Sequence, residues 1–235
     1  MKKLILSAIA IAVVASTFTS CKKGSGDPGI SFKSRKGRVE GSWKITEWIQ
    51  NVTINNGGNT STEETKLTDA TYTMTEKEDG DTYVTNGTVQ AHTINFDKKG
   101  AYDLTQNVTL TSSSLNGGTP NTYTEANTRT YSEKGTWNFL GKVDDFKNKE
   151  RIVLNVTESV SNTWSWELVG GNIKWTEYKN TQKYANGERS NVMHITTLKG
   201  KEMELDGEID NSSSSTVPGS NTNSEKGTWS AKLAQ

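Results

Sequence analysis

Apolar and polar residues alternate with a period of two over much of this chain. Trp43, Ile45 and Ile49 fall on one face together with Glu47, and Trp48 falls on the other. Trp164, Trp166 and Leu168 alternate with Ser165 and Glu167. After Gly170-Gly171 the pattern resumes at Ile173 and Trp175. Such alternation marks strands with one buried face. A Gly-Gly pair supplies the positive φ that a two-residue hairpin turn needs. Residues 152–156 read as a further strand, and Asp79-Gly80-Asp81 as a turn between strands at 71–77 and 82–85. Val52 and Ile54 switch parity, which predicts a bulge or strand end near Gln50. Beyond the N-terminal apolar run no stretch has a 3.6-residue period, and 144–151 is read as a charged loop or one helical turn. The polar stretches at 55–69, 111–129 and 211–223 read as long loops. The pattern predicts an all-β fold of about ten antiparallel strands in up-and-down order. Closing them into a β-barrel removes the exposed edges.

One hexapeptide occurs twice. Ser132-Glu133-Lys134-Gly135-Thr136-Trp137 recurs as Ser224-Glu225-Lys226-Gly227-Thr228-Trp229. Each copy follows a strand, a Lys-Gly turn (Lys99-Gly100, Lys199-Gly200) and a second strand. The two intervening polar loops should therefore leave the same end of the fold. Gly41-Ser42-Trp43 is a shorter echo of the same Gly-x-Trp.

Composition adds location. Of 235 residues, one is cysteine, so no disulfide can form within the chain. Hydrophobic content is 31 %, and the seven Trp and seven Tyr must supply much of the core. Lys2 and Lys3 precede an apolar run, Leu4–Ser16, too short for the about 20 residues of a membrane span. Phe18-Thr19-Ser20-Cys21 follows and resembles the lipobox of bacterial lipoproteins, with Phe18 where Leu is usual. That resemblance implies a signal peptide over 1–20 and acylation of Cys21, a stable membrane anchor at about 0.8 kcal/mol per buried CH₂. Residues 21–38 then form the lipidated Cys and a tether, leaving 39–235 as the barrel domain. The net charge of zero is divided unevenly. Residues 22–38 carry six bases and one acid, while Val39 onward carries 19 bases and 26 acids. A basic tether can lie on anionic headgroups or be a solvated linker. An acidic domain offers nothing to nucleic acid.

The lipobox, the polar tether, the meander opening at Gly41-Ser42-Trp43 and the later Gly-Thr-Trp strands together resemble the lipocalin-like lipoproteins of Bacteroidetes-type bacteria. Ile94–Tyr102 and Ile195–Leu205 resemble that family's turns. The likeness covers about 39–233. It implies a lipocalin-like barrel in which Trp43, Trp137 and Trp229 are structural. Acidic residues after the lipid Cys resemble a surface-export signal in that group. Here Lys22-Lys23-Gly24 follows, so the periplasmic face of the outer membrane is expected.

Chemistry is sparse. His92 and His194 are the only histidines and no metal-ligand spacing joins them, so no metal or cofactor is expected. Both are read as outward-facing strand residues. No nucleophile elbow, P-loop or dinucleotide fingerprint occurs, and carboxylate pairs such as Glu63-Glu64 sit in expected loops, so no enzymatic activity is expected. Trp164, Trp166, Trp175 and Tyr178 gather on one hairpin and are the candidate ligand-binding residues. Inward, they would contact an apolar ligand; outward, they would suit a sugar or a partner protein; or they simply fill the core. The reading is a non-enzymatic, membrane-anchored binding module for a small apolar or amphipathic ligand. The alternative is a solid-core envelope lipoprotein that contacts a protein or glycan through its loops.

Overall fold

The structure, a computed structural model, describes Asp27 and residues 33–119, 121–142, 145–147, 149–169, 172–185, 187–213 and 223–235. For 121–126, 163, 165–169, 172–175 and 212–213 only the backbone is described. A short helix, α1 (Arg35–Val39), precedes eleven strands. These are β1 (Gly41–Asn56), β2 (Asn59–Thr68), β3 (Thr71–Glu78), β4 (Asp81–Phe96), β5 (Ala101–Leu115) and β6 (Asn121–Phe139). They continue with β7 (Arg151–Val169), β8 (Asn172–Lys183), β9 (Ser190–Lys199), β10 (Glu202–Ser213) and β11 (Asn223–Ala234). Every pairing is antiparallel, and the β6–β7 pairing closes the sheet into a ring. The all-β up-and-down fold expected from the alternation is thus present, with eleven strands where about ten were counted.

Two of the expected loops are strands instead. Residues 55–69 turn at Gly57-Gly58, both with positive φ, and run back as β2. Residues 111–129 turn at Asn116-Gly117, again both with positive φ, and continue as β6 paired to β5. Their polarity looks like that of a loop, but Thr favours strands. Its hydroxyls also pair across the ladder, as Thr109 and Thr128 do at 3.2 Å. Of 211–223, residues up to Ser213 and from Asn223 are strand, and 214–222 lie outside the described residues. The β5–β6 and β10–β11 connections do leave the same end.

The ring differs between its two ends. Near Gly41, β1 pairs directly with β4 (Gly41–Lys44 with Thr93–Phe96), and β7 pairs with β9 (Arg151–Asn155 with Ser190–His194). Eight strands encircle that end. From Glu47 upward β1 pairs with β2 instead, and β3 pairs with β4, so this hairpin is wedged into the wall. From Glu158 upward β7 pairs with β8. Barrel width grows with strand number, and eight strands enclose only enough room for side chains. The closed end is accordingly solid: Trp43, Ile94, Phe96, Ile152, Leu154, Ile195, Leu198 and Met203 are essentially inaccessible to water. The wider end is where space remains.

Asp27 and α1 plug the solid end. Ser34 caps the helix, its Oγ accepting from the Gly37 N–H at 3.1 Å. Asp27 is ion-paired to Arg35 and Arg38 and accepts the Leu198 N–H at 2.9 Å. Arg38 donates to the Leu198 carbonyl. Two of the bases counted in the tether are therefore buried rather than presented to headgroups. Burial beside Arg38 lowers the Arg35 pKa to about 10, so its guanidinium remains charged at neutral pH.

Candidate functional site

A cavity of about 820 Å³ occupies the wide half of the ring. Its apolar wall is built by Trp48, Leu67, Tyr72, Leu104, Val108 and Trp229. Trp48 reaches the interior because of a register shift. Ile45 faces Leu233 and Glu47 faces Lys232, leaving Thr46 as an extra residue. This bulge reverses the alternation, so Trp48, Gln50 and Val52 follow Trp43 and Ile45 inward. The bulge lies at Thr46, four residues before its expected place. Trp48, expected on the face opposite Trp43 and Ile45, lies on the same side as they do, because one extra residue flips every later side chain. Trp48 stacks on Trp229 with ring centroids 4.7 Å apart and planes within 5°. Gly207 lies under that stack: a Cβ there would meet the Trp229 ring at 2.5 Å.

The polar side of the cavity centres on Glu133. It is 6 % exposed, and its oxygens accept from the Tyr102 and Tyr131 hydroxyls, each at 2.6 Å. Burial and this carboxylate raise both phenol pKa values, that of Tyr131 to about 12. Both phenols therefore remain donors at neutral pH. Arg189, at the end of the 184–189 connection, lies 3.4 Å from Glu133 and donates to Tyr131 (3.2 Å) and Tyr184 (2.9 Å).

His92 completes the lining. Its ring lies 6.1 Å from that of Trp48. It is 6 % exposed, and its Nδ1 has no hydrogen-bond partner. The reading of His92 as outward-facing is thus corrected. His92, Ile94 and Phe96 share one parity and all three are buried; that parity was available in the sequence. His194 alternates between buried Met193 and Ile195 and is half-buried, pairing with Asp206 at 2.9 Å.

Burial pushes the His92 pKa from 6.5 down to about 4. Between those values the unfolded chain binds a proton that the folded chain does not. Stability is thus lost as pH falls through that window, by about 3 kcal/mol in all. The expected result is that His92→Leu gains stability over wild type on going from near pH 7 to near pH 4, by about that amount. Urea unfolding of both proteins checks it, and a pH-independent difference between them refutes it.

The residues singled out in the sequence are distributed as follows. Trp43 is fully buried at the solid end, its indole N–H donating to the Val39 carbonyl at 2.8 Å. Trp137 is buried there as well, edge-on to Phe96 and donating to the Asp97 carbonyl at 2.9 Å. Trp229, its counterpart in the repeat, stands higher, in the cavity wall. Trp164 is half-buried and donates to the Thr128 carbonyl at 2.8 Å. There it assists Asn162, whose amide bonds Thr128 and Thr130 where the β6–β7 ladder ends. Tyr178 is 55 % exposed. Neither Trp164 nor Tyr178 is among the described residues that line the cavity. Trp166 and Trp175 face each other in the β7–β8 register, and their side chains lie outside the described residues, as does Cys21. The cavity residues Trp48, His92, Tyr131, Glu133 and Arg189 were not among the sequence candidates. Among the described residues no group of three His, Cys, Asp or Glu is placed to hold a metal. Comparison with protein-family models, with curated proteins and with solved structures finds no match.

Proposed function

We propose that this chain is a non-enzymatic, lipid-anchored envelope lipoprotein of lipocalin-like type, whose ring binds a small apolar or amphipathic molecule. The observation that carries the binding role is the cavity of about 820 Å³, apolar on the Trp48–Trp229 side and polar around Glu133. Volumes of about 300–1,000 Å³ lined by aromatics and a few placed polar groups are typical of small-molecule sites. A solid-core interaction protein would have both halves of the ring filled; the half around Trp43 is packed throughout, whereas the wide half holds a smaller buried cluster around Leu67, Tyr72, Val108 and Leu110 beside the cavity. The anchor rests on the lipobox-like residues Phe18–Cys21, and the periplasmic face of the outer membrane on the lysines that follow.

Native mass spectrometry of the chain from Lys22 onward, made in a bacterial periplasm, tests the binding role. A reproducible extra mass that disappears on denaturation is expected. If the protein emerges bare and also binds no apolar probe in solution, the binding role falls. The anchor has its own test: Cys21→Ser should abolish labelling of the full chain by radioactive palmitate in the bacterium. Persistent labelling of that variant overturns acylation at Cys21.

A further inference from the structure

We propose that the binding site extends sideways through the wall between β9 and β10, and that it takes an elongated amphiphile that enters there and lies with its apolar end inside and its polar end in the opening; this rests on the binding role above. Strand register carries the opening. β10 pairs with β9 from Glu202 to Asp206, and that ladder ends where Asp206 faces His194. From Gly207 to Ser213, β10 has β11 on one side only. β9 continues along β7, pairing Ser190–His194 with Arg151–Asn155, and β8 pairs with β7 alone. The wall is therefore interrupted from His194 and Asp206 toward the wide end. Where β6 and β7 part above Tyr131 and Ser161, Asn162 and Trp164 bond across to Thr128. Among the described residues no side chain bonds across from 190–193 to 207–211 in that way.

The cavity follows this interruption. In a closed wall only alternate residues of a strand face inward. Here 190–193 and 208–211, consecutive residues of each strand, all line the cavity. Met193 is buried on the inner face, while its neighbour Val192 is 46 % exposed on the outer one. Both can line one cavity only if it passes between the strands. β8 agrees with this, since every residue from 177 to 183 is exposed, whichever face it occupies. A ligand filling the cavity thus meets two environments. The Trp48–Trp229 wall takes its apolar end. Asn191, Glu208 and Asp210 stand at the opening, where a polar end keeps its water and escapes the cost of burial. Unpaired edges can also recruit another strand, but charged side chains oppose this. Lys179 and Lys183 on β8 and Glu208 and Asp210 on β10 supply them.

Blocking the opening tests this on the mature chain carrying Cys21→Ser, which leaves no other thiol. Val192→Cys places a thiol at the opening. Thr60→Cys places one on the β1–β2 hairpin, at the rim of the wide end. Each thiol is joined through a disulfide to polyethylene glycol, which a reductant later removes. The probe is 5-(dodecanoylamino)fluorescein, an apolar chain on a bulky polar head, and stopped-flow anisotropy reads its association. Its rate is expected to fall at least about tenfold on the Val192 conjugate and to stay within about twofold on the Thr60 conjugate. Recovery of the rate on adding reductant shows that the Val192 variant is folded and that the polymer alone was the obstacle. An unchanged rate on the Val192 conjugate, or equal slowing on the Thr60 conjugate, overturns the lateral opening and leaves the binding role standing. A dimer by light scattering that the Val192 conjugate dissociates gives the opening to a second copy and overturns the proposal likewise. If the unconjugated chain binds neither this probe nor N-phenyl-1-naphthylamine, the proposal and the binding role fall together.

Discussion

Gly227→Ala is expected to cost this protein at least about 3 kcal/mol, an unusually large effect for adding one methyl group. An added Cβ would sit 2.0 Å from the Asn51 carbonyl oxygen and 2.8 Å from the Val52 Cα. Both are backbone atoms of β1, so no side chain can swing away. Relief requires β11 to move from β1, and those strands pair from Lys44 to Asn56. Gly135, at the same place in the other hexapeptide, meets the Asn155 carbonyl at the same 2.0 Å, and Gly135→Ala should behave alike. Alanine also stiffens the unfolded chain, which offsets only about 0.4–1 kcal/mol. For a chain of this size the loss corresponds to a fall in Tm of roughly 6–12 °C. Gly141→Ala, where an added Cβ meets nothing within 4 Å, serves as the control and should stay within about 0.5 kcal/mol of wild type. Thermal and urea unfolding of the three variants decide it. If Gly227→Ala matches the control, the close approach of β1 and β11 is not as described.

Asp27→Ala should cost about 3–5 kcal/mol, the usual consequence of removing one member of a buried ion pair. The Asp27 side chain is fully inaccessible, and those of Arg35 and Arg38 are 4 % and 2 % exposed. Removing the carboxylate leaves two like charges facing each other in the plug and deprives the Leu198 N–H of its acceptor. The penalty lies in keeping guanidinium charge buried without its carboxylate rather than in the intrinsic strength of the pair. Replacing Asp27, Arg35 and Arg38 together by Ala, Met and Met should therefore recover much of the loss. A single variant as stable as wild type, or a triple variant worse than the single, contradicts this account. Near-ultraviolet circular dichroism reports the plug directly, since the Val39 carbonyl that ends α1 accepts from Trp43.

Period-two alternation, Lys-Gly and Asp-Gly turns and the twin hexapeptides determine, by themselves, an all-β antiparallel fold. They also place the β5–β6 and β10–β11 connections at one end. The repeat also carries part of the interior. Glu133, Gly135 and Trp137 share one parity, as do Glu225, Gly227 and Trp229, and both sets face the interior: a carboxylate, a close approach and an indole in series. His92 could be read inward from Ile94 and Phe96 in the same way. The rest depended on the tertiary structure. Thr46 is an unremarkable residue, yet its bulge turns Trp48 inward and creates the Trp48–Trp229 stack, and nothing local marks it. Polar composition concealed β2 and the start of β6, because Thr and Asn pair across a ladder only when a partner strand lies alongside. Wedging the β2–β3 hairpin into the wall widens one end and leaves the cavity there. That wedge is a matter of which distant strands meet. Bringing Arg189 to Glu133 and Asp27 to Leu198 depends likewise on contacts between residues far apart in the chain, about which alternation along a single strand carries no information.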